Sequence, residues 1–177
     1  MASRARPSTI PAMTGAAKTD SPMEATIDLP DLTATWALAG RLARLWRVGD
    51  VVALHGDLGA GKTELARAAI RAATGEAVEV PSPTFTLVQT YQTPTAPVWH
   101  FDLYRIADPD EVIELGWTEA RADGVALIEW PDRLGTMLPG DRLDVELEQA
   151  ASSDARNALL RAGPAWRDRF SKLVGGS

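Results

Sequence analysis

The stretch Val51–Thr63 reads VVALHGDLGAGKT, and it decides the fold of this chain. Val51–Leu54 is a short apolar run with β-branched residues, which predicts a buried strand of a parallel sheet. Gly56–Thr63 matches the pattern G-x-x-x-x-G-K-[ST] at every fixed position. Lys62–Thr74 then places apolar residues at helical spacing, and Gly75 predicts the end of that helix. A strand, a glycine-rich loop and a helix in this order predict a phosphate-binding loop.

The chemistry of this loop follows from its backbone. Its glycines let the chain curl so that N–H groups point inward and form a nest for phosphate oxygens. The helix N-terminus adds a positive dipole end, Lys62 adds a full charge, and the Thr63 hydroxyl can ligate Mg²⁺. We therefore expect a nucleotide and Mg²⁺ here. The expected nucleotide-binding residues of the loop are Gly56, Asp57, Leu58, Gly59, Ala60, Gly61, Lys62 and Thr63.

A second anchor for Mg²⁺ is expected at the end of a neighbouring strand, where P-loop enzymes commonly place an acid. Val125–Glu129 is four apolar residues followed by an acid, and Asp102 ends the polar face of Val98–Asp102. Each acid is either a metal ligand or the solvated end of a strand. The proline-stiffened segment Pro81–Phe85 is either a sensor of the γ-phosphate or a plain turn.

The flanking patterns predict an α/β fold, a P-loop NTPase-like three-layer sandwich with a mainly parallel sheet and antiparallel edge strands. Alternation in Arg142–Gln149 predicts a half-solvated, antiparallel edge strand. Ala155–Arg161 fits a strand or a short helix. The other predicted elements are the strands Thr26–Leu29, Thr84–Thr93, Val98–Tyr104 and Val125–Trp130 and the helices Thr33–Arg47, Pro109–Leu115 and Pro164–Lys172.

Length and composition exclude several classes of protein. A chain of 177 residues without cysteine has no disulfides, thiolate nucleophile or iron–sulfur cluster, and two histidines argue against a His-rich metal centre. The net charge of −6 argues against a protein that coats nucleic acid with its whole surface. Residues 102–148 carry thirteen acidic and four basic residues, which form a solvated surface or in part serve a metal site.

The sequence predicts neither a membrane span nor a secretory signal. No apolar run approaches about 18 residues, so no membrane span is expected. Residues 1–22 lack the apolar core of a secretory signal and are interpreted as a disordered extension, with Met23 as a possible start. The P-loop domain is then residues 23–177, and a cytoplasmic location is expected.

Other P-loop classes differ in what they require. A GTPase needs an N-K-x-D element, which is absent, and motor cores need more chain. A nucleoside or small-molecule kinase needs a lid with several arginines, and Arg105, Arg121 and Arg133 keep that alternative open. A binding module gated by nucleotide, in which hydrolysis is incidental, is the third hypothesis.

Four motifs together resemble one family. Gly56–Thr63 as GDLGAGKT, Ser82–Thr86 as SPTFT, His100–Arg105 as HFDLYR and Ile128–Pro131 as IEWP occur in the order and spacing of the TsaE (YjeE) family. The resemblance covers roughly residues 24–150. It implies an ATPase that acts with the TsaD and TsaB proteins in forming the threonylcarbamoyl group on adenosine 37 of tRNAs that read codons beginning with A. ATP would be hydrolysed to ADP and phosphate in that complex, and tRNA would be met only through it.

The resemblance also implies roles for single residues. The implied roles are catalysis for Lys62, Thr84 and Asp102, Mg²⁺ binding for Thr63 and Glu129, and contact with the nucleotide for Thr35 and Trp130. His100 and Tyr104 are interpreted as sheet-packing or indirect groups, and His55 as structural. Where many family members carry Gly-Arg near the nucleotide, this chain has Ser152-Ser153, and Arg156 is the nearest arginine. The basic segment 156–172 is either a solvated terminal helix or a contact with tRNA or a partner.

Overall fold

The computed structural model describes residues 23–75 and 78–175. The predicted disordered extension, residues 1–22, therefore lies outside the described residues, and that prediction stays a prediction. Within the described part, the strands are β1 (Met23–Leu29), β2 (Val51–His55), β3 (Val88–Tyr91), β4 (Val98–Asp102), β5 (Val125–Glu129), β6 (Leu143–Gln149) and β7 (Arg156–Ala162). The helices are α1 (Leu32–Leu45), α2 (Lys62–Thr74), α3 (Glu111–Glu114), α4 (Trp117–Asp123) and α5 (Phe170–Val174), with 3₁₀ turns at Pro131–Met137 and Pro164–Trp166.

All seven strands form one sheet in the order β1-β7-β6-β2-β5-β4-β3. The central strands β6, β2, β5 and β4 are parallel to one another, whereas β3, β7 and β1 pair antiparallel at the two edges. Helices cover both faces, because parallel strands are joined by crossovers that lie on the sheet. The predicted fold class is confirmed.

Two apolar layers hold the helices to the sheet. On one face α1, α2 and α5 pack on a cluster that includes Leu38, Leu65 and Leu127, each nearly or fully buried. On the other face α3 and α4 pack on a cluster around Phe101 and Ile128. Burying a side chain of this size stabilises the fold by about 1.5–3 kcal/mol. None of the described helices is long and apolar enough to cross a bilayer.

The position predicted for Arg142–Gln149 is wrong. The strand β6 lies inside the sheet, parallel to β2 and antiparallel to β7, and not at an edge. Its alternation arises because Leu143 and Val145 are buried in the core while Asp144 and Glu146 are half-exposed on the opposite face. Alternation therefore reports how each face is covered, and it contains no information about which strands lie on either side.

Two further boundaries differ from prediction. The strand predicted over Thr84–Thr93 is confined to β3, because Leu87 has a φ of 63° and reverses the chain. Its N–H donates to Pro83 O at 2.6 Å, which closes a turn over the preceding residues. Gly116, predicted to end a helix, also begins the unpredicted α4 with a φ of 91°.

The C-terminal region also differs in detail. Residues 156–162 form the strand β7, which resolves the choice between strand and helix. The predicted helix Pro164–Lys172 is a 3₁₀ turn followed by the short α5. Arg169 lies nearly buried and donates to both carboxylate oxygens of Asp50 at 2.6 Å. Arg161 is paired with two glutamates, so part of the basic segment proposed to touch tRNA is engaged within the chain.

Candidate nucleotide-binding site

The glycine-rich loop joins the C-terminal end of β2 to the N-terminus of α2. Gly56, Gly59 and Gly61 have φ angles of 130°, 81° and 107°, a region that side-chain-bearing residues seldom adopt. A Cβ on Gly56 would lie 2.4 Å from the carbonyl oxygen of Leu147 on β6. Glycine is therefore required there both by conformation and by the close approach of the neighbouring strand.

The loop presents free donors toward its concave side. The helix cap at Gly61 has no side chain to bond the first turn. Within the described chain, the backbone N–H groups of Gly61, Lys62 and Thr63 donate to no protein acceptor. Such N–H groups at a helix N-terminus match the oxygens of a phosphate, so the residues present fit a nucleotide phosphate.

Lys62 adds a buried cation to this nest. Its side chain is 5% exposed, and its Nζ donates to Gly56 O at 2.6 Å and to Asp57 O at 2.8 Å. Burial lowers the pKa of Lys62, while the nearby carboxylates of Glu129, Asp102 and Asp57 act in the opposite direction. The two carbonyl oxygens therefore hold the Lys62 amino group inside the loop.

Two carboxylates lie together at the ends of neighbouring strands. The parallel register of β4 and β5 aligns Asp102 with Glu129, and the two residues are 5% and 2% exposed. The Thr63 hydroxyl donates to Glu129 Oε2 at 2.7 Å. Two carboxyl groups that lie beside one another supply the oxygen ligands that a divalent cation prefers. The sequence left both acids open as candidates, and the structure brings both to the loop.

These donors fit Mg²⁺ rather than a metal enclosed entirely by protein. Mg²⁺ prefers oxygen ligands and commonly takes one or two carboxylates together with phosphates and water. No group of three or more metal-binding side chains occurs in residues 23–75 and 78–175. Thr63 and Glu129 are therefore the residues that would hold Mg²⁺, with phosphate oxygens completing its coordination.

The Ser-Pro-Thr segment is tied to the second acid. Thr84 Oγ1 donates to Asp102 Oδ2 at 2.9 Å and lies 2.7 Å from Ser82 Oγ. The other oxygen of Asp102 accepts the N–H of Tyr104 at 3.2 Å. Phe85 follows Thr84 in the sequence. Its side chain is 83% exposed and lies beneath the guanidinium of Arg105. The residue bonded to Asp102 is therefore the direct chain neighbour of an exposed aromatic side chain.

An aromatic wall closes the other side of the cleft. Trp130 has a φ of 59°, a strained angle for a bulky residue, and its ring lies 4.1 Å from Lys62 Nζ and 5.0 Å from the ring of Tyr104. The cleft has a volume of about 230 Å³. Its lining residues are Leu58, Gly59, Gly61, Lys62, Thr63, Glu64, Thr84, Asp102, Tyr104, Glu129 and Trp130.

A second cavity adjoins the loop on its outer side. It has a volume of about 340 Å³ and contains Thr35 from α1 and Arg156 from β7. The Arg156 Nε donates to Ala60 O at 2.7 Å, and its Nη2 contacts Gly59 O at 3.4 Å. An arginine therefore does reach the loop, from a position that the sequence pattern left undecided. Only the pairing of β7 with β6 beside the loop could have revealed it.

The predicted lid arginines lie elsewhere. Arg105 covers Phe85, and Arg121 lies over the ring of Trp117 at 5.8 Å. Together with Arg133, they are absent from the lining of both cavities in the described chain. His55, interpreted as structural, contacts Asp144 Oδ1 at 2.8 Å outside the cleft.

Known proteins match this chain over the same region. The family model "Threonylcarbamoyl adenosine biosynthesis protein TsaE" matches residues 29–158. A Rickettsia felis protein named tRNA threonylcarbamoyladenosine biosynthesis protein TsaE is 43% identical over 114 residues, 64% of this chain and 67% of that protein. A Bacillus subtilis protein of the same name is 36% identical over 130 residues, 73% of this chain and 80% of that protein.

A solved structure is also similar. The crystal structure of Bacillus subtilis YdiB superposes with a TM-score of 0.67 at 28% identity. The superposition covers 86% of this chain and 93% of that chain. The span matched by the family model contains the whole glycine-rich loop and the carboxylates of Asp102 and Glu129.

Proposed function

The chain belongs to the TsaE family, and from that premise we propose that it is a Mg²⁺-dependent ATPase of tRNA threonylcarbamoyladenosine biosynthesis. It acts with the TsaD and TsaB proteins in the cytoplasm, in forming the threonylcarbamoyl group on adenosine 37 of tRNAs that read codons beginning with A. Hydrolysis of ATP to ADP and phosphate takes place in that complex, and the chain meets tRNA only through its partners.

One observation carries this proposal. Lys62, Thr63, Asp102 and Glu129 come from three separate elements and converge on one cleft at the C-terminal edge of the parallel strands. This edge is where open α/β sheets bind their ligands. The free N–H groups of the loop and the two buried carboxyl groups match a triphosphate and its metal together. A fold without such a ligand would leave these groups unexplained.

The chain's own residues divide the work of hydrolysis. The loop N–H groups and Lys62 bind and orient the phosphates. Thr63 with Glu129 would hold Mg²⁺, which when bound would supply positive charge beside the phosphate oxygens. In this proposal Asp102 accepts a hydrogen bond from the attacking water, whose oxygen bonds to the γ-phosphorus and whose proton passes to the released phosphate. The bond from that phosphorus to the bridging oxygen breaks, and ADP leaves with the electron pair.

The Thr84 segment links the cleft to the surface. Thr84 and Asp102 share a hydrogen bond, so rearrangement around the γ-phosphate changes the position of the exposed Phe85. A partner that contacts this segment can complete the site, and slow turnover is expected for the isolated chain. Thr35 and Trp130 are proposed to lie beside the nucleotide, from the two cavities that flank the loop.

The test is phosphate release with and without TsaD, TsaB and tRNA. We expect the partners to stimulate wild-type turnover, and Lys62→Ala to reduce it at least about 100-fold, because the charge on the phosphates is lost. Arg44→Ala, which removes an exposed basic side chain on α1, is the matched control and should leave turnover unchanged. Wild-type turnover in Lys62→Ala would refute the assignment.

The two alternatives give different results in the same assay. A small-molecule kinase would place the phosphate on an added metabolite instead of releasing it. Among residues 23–75 and 78–175 no arginine lines the cleft, which disfavours that reaction. A nucleotide-gated binding module would form an ATP-dependent complex without any stimulation of hydrolysis. Co-purification with TsaD and TsaB is then compared in ATP and in ADP. A complex that forms only in ATP identifies the binding module, whereas no complex in either nucleotide shows that the chain does not bind these partners.

A further inference from the structure

His100 is a fully buried polar residue at the centre of β4, with an exposed fraction of 0%. Its neighbours in the sheet are Leu127 on β5 and Gln89 on β3. Its Nε2 lies 2.9 Å from Glu129 Oε1, and in the described chain its Nδ1 has no hydrogen-bond partner. An apolar residue would fill this place without a buried, unpaired nitrogen, so packing alone does not account for histidine here.

The partner of His100 is the carboxylate proposed to hold Mg²⁺. Glu129 must be ionised to bind a metal, and an ionised carboxylate only accepts hydrogen bonds. The proton between the two residues therefore lies on His100 Nε2.

Glu129 is held at both of its oxygens. Thr63 donates to Oε2 from the loop, and His100 donates to Oε1 from within the sheet. A glutamate has three rotatable bonds, and without the second donor its carboxylate can turn about the last of them. With both donors the plane of the carboxylate is fixed, and its Oε2 faces the hydroxyl that would share the metal.

We propose that His100 is a positioning residue that fixes the Glu129 carboxylate for Mg²⁺. It acts through Glu129 and touches neither nucleotide nor metal, since the cleft lining does not include it. The inference rests on the proposed function to the extent that Mg²⁺ and nucleotide bind in this cleft. Partners behind a metal ligand of this kind commonly change metal affinity by about 10–100-fold.

The experiment compares two variants that differ in the donor. His100→Gln can keep an N–H near the position of Nε2, whereas His100→Leu fills the space without any donor. ADP binding is measured by calorimetry in Mg²⁺ and in EDTA, and the ratio of the two dissociation constants gives the Mg²⁺ factor. We expect the Mg²⁺ factor of His100→Leu to be about 10–100-fold smaller than that of the wild type, with little change in the ADP dissociation constant measured in EDTA. His100→Gln should restore the factor.

The outcomes separate the two proposals. A wild-type factor near one would overturn the Mg²⁺ site of the proposed function and this inference with it. A large wild-type factor that survives in His100→Leu would overturn the inference alone, as would an equal loss in both variants. If circular dichroism shows that His100→Leu is unfolded, His100→Asn, whose amide is too short to reach Glu129, replaces it under the same criteria.

Discussion

Replacing Gly56 by alanine tests how the loop is fitted against the sheet. The new Cβ would lie 2.4 Å from the Leu147 carbonyl oxygen and 3.0 Å from the Cβ of Ala60. The first of these atoms belongs to the backbone of β6, which is paired on both sides and cannot move alone. The φ of 130° adds strain for any residue with a side chain.

The expected loss of folding stability is the sum of the backbone strain and the steric overlap. Backbone strain of this kind costs about 1–3 kcal/mol, and overpacking against a fixed neighbour costs about 1–3 kcal/mol more. Gly59→Ala is the matched control, because Gly59 also has a positive φ, of 81°, but a Cβ there would meet nothing within 4 Å. It should cost about 1–2 kcal/mol from strain alone.

Thermal unfolding by circular dichroism and ADP calorimetry measure both consequences. A domain of this size loses about 2–4 °C in Tm per kcal/mol, so Gly56→Ala should melt roughly 4–24 °C lower, and Gly59→Ala roughly 2–8 °C lower. ADP affinity should fall further in Gly56→Ala, since relieving the contact moves the loop away from β6. Equal losses of stability and affinity in the two variants would refute the steric argument.

Two further substitutions test buried and titrating pairs. Arg169→Ala leaves the Asp50 carboxylate buried without its bidentate partner, so it should destabilise the fold by about 3–5 kcal/mol in urea unfolding. A loss below about 1 kcal/mol would contradict this reasoning. At Asp144, burial by itself raises the pKa, but hydrogen bonds from His55 and Arg142 outweigh it and lower the pKa below its ordinary value of 3.8. The folded-state pKa is thus depressed, so this stabilisation is present above the ordinary value and lost as pH falls through the folded-state pKa. Asp144→Asn should accordingly cost stability near neutral pH and progressively less below about pH 3.8 in urea unfolding, and a pH-independent loss would argue against the pairing.

Local sequence determined the conformation of the glycine-rich loop and the helix after it almost completely. Lys62–Thr74 was predicted with the bounds that α2 has, and Gly75 ends it in a left-handed conformation. This succeeds because glycines at positive φ and helical spacing are properties of neighbouring residues. The same holds for the strand predicted over Val125–Trp130, which forms over Val125–Glu129 with the acid as its last residue.

Tertiary structure alone decided which of these groups meet. The register of β4 with β5 brings Asp102 beside Glu129, and the pairing of β7 with β6 brings Arg156 to the loop. The strand order also places β6 inside the sheet rather than at its edge. Strand order is set by the burial of faces across the whole domain. It therefore cannot be predicted from the periodicity of a single strand. The sequence therefore specifies the chemical groups of the site, whereas the sheet specifies their arrangement.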